Sequence, residues 1–197
     1  WLIKGTLNPP AGTDIYVLGA DADVTLDGAA ATFAGLEYVE TNNGTLQTRG
    51  DQAFVTDGDF GNYGTLDVGA GSSVTVSYDF YASAGSTNTV EGELALGDFG
   101  WHATDGAING NTVGTLSVGE DATFDVNGGG LHDLAQINLA TGAELNVNTP
   151  SSGIGMIQGG SGTLNVNAAM DAGAFNTLDE VAVSDGNTLT MTTEADN

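Results

Sequence analysis

Leu134-Ala135-Gln136-Ile137-Asn138-Leu139-Ala140-Thr141-Gly142-Ala143-Glu144-Leu145-Asn146-Val147-Asn148 is the stretch whose reading decides the fold. Apolar and polar residues alternate at Ile137-x-Leu139 and again at Leu145-x-Val147. A period of two is the strand period. Thr141-Gly142-Ala143 supplies a turn between them. Strands this short, with one apolar side, cannot fold alone. Stacked on copies of themselves they can, Leu over Leu and Val over Val, each backbone bonded to the next coil about 4.8 Å away.

Copies run through the chain. Phe124-Asp125-Val126-Asn127, Leu145-Asn146-Val147-Asn148, Leu164-Asn165-Val166-Asn167 and Leu189-Thr190-Met191-Thr192 share one ending. Gly64-Thr65-Leu66-Asp67-Val68-Gly69 returns as Gly114-Thr115-Leu116-Ser117-Val118-Gly119. Leu178 to Met191 repeats the pattern of the opening stretch. The step is roughly 20–25 residues, within the range of solenoid repeats. Asn127, Asn148 and Asn167 would then stack as an amide ladder. The expectation is an all-β chain, a right-handed parallel β-helix (β-solenoid), filling residues 1–197 as a single domain. The chain reads as a mature portion or a section of a longer exported protein. The competing architecture is a pair of antiparallel β-sandwiches. Leu131 to Leu139 and Ala168 to Glu180 are the candidate helices, and neither is convincing against Gly173 and the strand-like continuation.

The charge is one-sided: 26 acidic residues stand against Lys4 and Arg49, a net −24. Two cations cannot make the basic footprint that nucleic-acid phosphates or anionic membranes require. No apolar run is long enough to insert in a membrane. The absence of Cys removes thiolate catalysis and Cys-ligated zinc or iron–sulfur chemistry.

The Gly-Thr-Leu-x-Val-Gly motifs at Gly64 and Gly114, with Leu134–Asn148 and Leu178–Thr192, resemble the passenger regions of bacterial autotransporters and related β-helical surface adhesins. The resemblance extends over nearly the whole chain. It implies a right-handed β-helix, export from a Gram-negative bacterium and display at the cell surface.

Several groups invite chemistry. Arg49-Gly50-Asp51 spells a tripeptide by which some adhesins engage receptors, its carboxylate reaching a receptor-bound metal. A turn with an exposed ion pair is the favoured reading of the same residues. Asp57, Asp59 and Asn62 gather oxygen ligands as calcium sites do, although an acidic turn without specific metal is the favoured reading. No motif requires a cofactor, and calcium is the one ion these turns suggest. Asp59-Phe60-Gly61 and Asp98-Phe99-Gly100 read as one repeated turn with its Phe tucked inward. His102 and His132 read as loop residues. The pairs Asp21/Asp23, Asp57/Asp59 and Glu91/Glu93 bear on glycoside hydrolysis, which needs two acids flanking a sugar. Trp1, Tyr16, Tyr38, Tyr63, Tyr78, Tyr81 and Trp101 offer sugar-stacking rings without a regular spacing.

The expected function is a non-enzymatic extracellular structural and adhesive module, displaying loops from a rigid rod at the bacterial cell surface. Its partners would be a host or neighbouring-cell surface, matrix, a glycan, or copies of itself. The alternatives are a subunit of a self-assembling filament or lattice, and a carbohydrate-active β-helix. Thr48–Tyr63, Tyr81–Thr89 and Gly97–Asn111 are the interruptions of the repeat where function is expected.

Overall fold

Alternating apolar side chains and frequent Gly corners wind this chain into about nine coils of a parallel β-solenoid. The computed structural model describes residues 1–10 and 12–192. A typical coil has three strands, one on each of three faces. The first face carries Asp23–Asp27, Thr45–Arg49, Thr65–Val68, Thr87–Val90 and Ala107–Asn109. The second carries Ala53–Thr56, Ser73–Val76, Glu93–Leu96, Thr115–Val118 and Gln136–Leu139. The third runs from Val17–Leu18 through Phe60–Asn62, Phe80–Ala82, Trp101–Thr104, Thr123–Val126, Glu144–Val147 and Thr163–Val166 to Glu180–Val183. The nine-residue strand Ser151–Gly159 turns the corner between the first two faces and joins them into one sheet.

Every ladder among the described residues is parallel, which excludes antiparallel sandwiches. The helix candidates are strands, Leu131–His132, Gln136–Leu139 and Met170–Asn176. Among the described residues the helical element is a single 3-10 turn far from these candidates, at Leu36–Tyr38.

The register explains the repeats. On the third face Phe124, Leu145, Leu164 and Val181 stand one above another, with Val126, Val147, Val166 and Val183 beside them. On the second, Phe54, Val74, Leu94, Leu116, Ile137 and Ile157 form a matching column. The column residues in the middle coils are buried and fill the interior of the solenoid. Two expected alignments shift. Leu189–Met191 does not continue the Leu145–Leu164 column; it pairs with Met170–Ala172, and Val181 takes the expected place. Thr65–Val68 lies on the first face and Thr115–Val118 on the second. The repeated element is therefore one strand and its corner, a third of a coil, and a shared motif does not imply a shared face.

The glycine of that motif has a steric cause. A Cβ at Gly64 would stand 2.1 Å from the carbonyl oxygen of Gly44, and at Gly114 1.6 Å from that of Val90. The coils approach too closely there for any side chain.

Candidate functional site

The third face presents the most structured outer surface. Three outward positions recur in each of its coils and form three columns. Trp101, Thr123, Glu144 and Thr163 make the first. Gly61, Tyr81, Ala103, Asp125, Asn146 and Asn165 make the second. Tyr63, Ser83, Asp105, Asn127, Asn148 and Asn167 follow the inward residue of each strand and make the third.

Across these columns run diagonal stripes. Tyr63, Tyr81 and Trp101 step back one column with each coil, giving an aromatic diagonal. Asp105, Asp125 and Glu144 form an acidic diagonal beside it. The two are bonded: Tyr81 Oη donates to Asp105 Oδ2 at 2.7 Å, and Trp101 Nε1 donates to Asp125 Oδ2 at 2.8 Å. The bond to Asp105 holds the Tyr81 phenol above its usual pKa range, so it remains the donor. The rings of Tyr63 and Tyr81 meet edge to face at 5.9 Å. Tyr63 leans back over Gly61, where a Cβ would lie 2.9 Å from its ring.

Amides continue the pattern. Asn146 Nδ2 donates to Asp125 Oδ1 at 2.8 Å, and Asn165 Nδ2 donates to Glu144 Oε1 at 2.7 Å. The expected outer ladder is present: Asn148 Nδ2 donates to Asn127 Oδ1 at 3.0 Å, and Asn167 Nδ2 to Asn148 Oδ1 at 2.9 Å.

The residues singled out by sequence fall elsewhere. Arg49 ends a first-face strand, and its guanidinium makes a two-pronged ion pair with Asp67 one coil on. That hydrogen bond pushes the Arg49 pKa up. Gly50 and Asp51 form the next corner, both at φ 63, with Asp51 exposed. The turn carries an ion pair, but between Arg49 and Asp67, so Arg49 and Asp51 are not presented together as a free cation and carboxylate. Lys4 is likewise paired, with Asp27 at 2.9 Å.

Asp57, Asp59 and Asn62 do not converge. Asp57 and Asp59 are exposed on a corner, whereas Asn62 points into the interior. Its Oδ1 accepts from Asn42 at 2.7 Å and its Nδ2 donates to Asn88 at 2.8 Å. Among the described residues no group of three or more acidic or histidine side chains is close enough to share an ion. Asn42, Asn62 and Asn88 form a buried amide ladder that sequence reading missed. Its signal was Asn recurring near the coil period, hidden because Asn reads as a turn residue.

Phe60 is inward and stacks over Phe80, but Phe99 is exposed at positive φ. The structural counterpart of Phe60 is thus Phe80, and Asp98-Phe99-Gly100 is a different corner. The acid pair Glu91/Glu93 is occupied by neighbours, Glu91 accepting from Asn111 and Glu93 from Ser117. The three expected interruptions contain ordinary third-of-a-coil strands, such as Ala53–Thr56, Thr87–Val90 and Trp101–Thr104, not long displayed loops.

His102 is a buried strand residue and not a loop residue. It pairs with Phe124 in the register. Its Nδ1 accepts from the Phe80 N–H at 3.1 Å, which places the proton on Nε2, 3.2 Å from the Gly97 carbonyl. Burial lowers its pKa from 6.5, against smaller opposing contributions from the Gly97 bond and Asp79. The unfolded chain then binds a proton that the folded chain refuses, so stability falls as pH drops below about 6.5 and is level above it. His102→Gln, which keeps an acceptor and a donor but does not titrate, is expected to remove that slope. Urea midpoints between pH 7.5 and 5.5 check this; equal slopes in parent and variant would refute it.

Comparison with protein-family models finds no match, and comparisons with curated proteins and with solved structures likewise find none. The fold by itself defines a β-solenoid repeat protein.

Proposed function

We propose that the chain is a non-enzymatic structural and adhesive module of an extracellular or cell-surface protein, a stiff rod carrying a recognition surface on its third face. The observation that carries this reading is the aromatic diagonal, in which Tyr63 and Trp101 are exposed, Tyr81 is half-buried, and Tyr81 and Trp101 are fixed by hydrogen bonds to the acidic diagonal. Continuous parallel ladders supply stiffness, because each coil is bonded to two others. Nine rungs at about 4.8 Å make a rod about 40 Å long. The corners are short, so the display element in this reading is the face and not a loop. The uncompensated acidic charge supports a role in a salty, aqueous setting, away from polyanions.

Beads coated with the protein should be retained on cells or extracellular matrix above albumin-coated beads. Equal retention would sink the adhesive reading. Asp51→Glu should leave retention unchanged, since Asp51 lies off the third face; its loss would move recognition to Arg49-Gly50-Asp51.

A second reading, a subunit that assembles end to end, draws on one observation. The first coil leaves Trp1, Leu2, Leu7 and Val17 exposed, and the last complete coil exposes Val181 and Val183. A further coil, from another copy or from flanking chain, would cover them by the same strand addition. Sedimentation velocity over a wide concentration range tests it: a single concentration-independent species excludes self-assembly of this chain.

A further inference from the structure

We infer that the third face holds a binding site for a neutral, unbranched oligosaccharide, centred on Tyr81, Trp101, Asp105 and Asn127. The inference rests on the reading of that face as a recognition surface and gives it a ligand class.

One acid–amide pair on this face is left unbonded. Two acids of the acidic diagonal are each bonded by an amide from the following coil, Asp125 by Asn146 and Glu144 by Asn165. Asp105 and Asn127 stand one above the other in the third column, as Asp125 and Asn146 do in the second, yet no bond joins them; Glu144 takes its amide from the neighbouring column. Asp105 accepts from Tyr81 through Oδ2, and its Oδ1 has no partner among the described residues. Asn127 accepts from Asn148 through Oδ1, and its Nδ2 has no partner among them either. One open acceptor and one open donor therefore stand a coil apart, about 4.8 Å. Adjacent hydroxyls of a pyranose ring can donate to the first and accept from the second.

The apolar half of the site lies beside them. Carbohydrate rings have a face of C–H groups that stacks on aromatic carbon. Trp101 is 54% exposed and Tyr63 51%, so both offer ring area to solvent. Neither Tyr81 nor Trp101 has to be ordered on binding, because Asp105 and Asp125 already hold them. Gly61 and Ala103 flank Tyr81 in the second column, and a position with a large side chain there would obstruct a ligand lying along the face.

Charge selects the ligand. Asp105 and Asp125 hold the rings, and Asp79 Oδ1 accepts from the Trp101 backbone N–H at 2.8 Å. Both cations of the chain are paired on the first face or its edge. Carboxylates accept readily from sugar hydroxyls and repel uronates, sulfates and phosphates. The surface therefore suits a neutral glycan.

The test uses the whole chain with cellohexaose, laminarihexaose and maltohexaose as neutral probes and hexagalacturonate as the anionic one. At least one neutral probe is expected to bind by calorimetry and to move the Trp101 indole N–H signal, assigned with Trp1→Phe. Trp101→Ala should weaken binding about tenfold. Asn127→Asp, which keeps the oxygen that receives Asn148 and replaces the free donor with a charged oxygen a coil from Asp105, should weaken it at least as much while lowering the melting temperature only slightly. No binding of any neutral probe, equal affinity in Asn127→Asp and parent, or equal binding of hexagalacturonate would each overturn the site. Bead retention that persists when the neutral probes fail would overturn the sugar ligand and leave the adhesive reading standing.

Discussion

Leu145→Asp is expected to unfold the coils around it, whereas Asn146→Ser, one residue further on, should stay folded and melt far nearer the parent. Leu145 has no exposed surface and lies between Phe124 and Leu164 in the third-face column. Removing a buried Leu costs about 2–5 kcal/mol by itself. Placing an unpaired carboxylate in the same space adds several more. That sum approaches the whole stability of an ordinary domain, about 5–15 kcal/mol. In a solenoid the damage spreads first to nearest neighbours, because each coil contacts only those above and below it. The expected signature is lost amide-exchange protection from Thr123–Val126 to Thr163–Val166, with protection kept near Thr45–Arg49. Asn146 points outward on the same strand, so its change removes two half-buried hydrogen bonds, the one it donates to Asp125 and the one it accepts from Asn165, worth about 1 kcal/mol each. The contrast between neighbours tests register, since a one-residue slip would exchange the two roles. Leu145→Asp melting like the parent would refute the stacking of this face.

Much of this register was legible because burial is read directly from alternation. Phe124, Leu145 and Leu164 could be aligned before any coordinates, as could the outer ladder of Asn127, Asn148 and Asn167. The assignment of motifs to faces was not legible. All three faces demand the same inward alternation, so Leu189-Thr190-Met191 looked like a continuation of Leu164 although it belongs beside Met170. The motifs around Gly64 and Gly114 were similarly aligned across different faces. The corners vary in length, and a sequence period cannot separate a whole coil from a coil plus one face.

The candidate site was half visible. Its aromatic residues could be named, but their spacing looked irregular because they follow a diagonal. Tyr81 and Trp101 each lie two residues short of the preceding ring's true coil equivalent, Ser83 for Tyr63 and Ala103 for Tyr81, the shift that carries a side chain to the next outward column. Constant spacing finds columns and misses diagonals. The acids showed the reverse error. Local density marked Asp57, Asp59 and Asn62 as a group, but the strand period sends Asn62 inward and leaves the acids on a corner.

Asn62→Asp separates those two accounts of Asn62 with a large expected effect. A calcium ligand would tolerate the change, since a carboxylate is the stronger donor for that ion. An interior ladder would not. The Asn62 oxygen could still receive the Asn42 amide, but the nitrogen that donates to Asn88 Oδ1 would be replaced by a second oxygen. Two acceptors would then face each other inside the solenoid, with a buried charge on one of them. The expected loss is about 3–5 kcal/mol at neutral pH. Burial raises the pKa of the new carboxyl above its unfolded value of about 3.9. The folded chain then binds more protons than the unfolded one between those two values, so stability falls as pH rises through that window. The variant should therefore come nearest the parent at about pH 4 and fall furthest below it at neutral pH. Urea unfolding at both pH values, with and without calcium, measures this. A variant as stable as the parent at neutral pH, or one restored there by calcium, would remove Asn62 from the interior ladder. Asn62→Leu, which has no charge to titrate, should lose stability by a similar amount at both pH values, because it strands the Asn88 oxygen in the core.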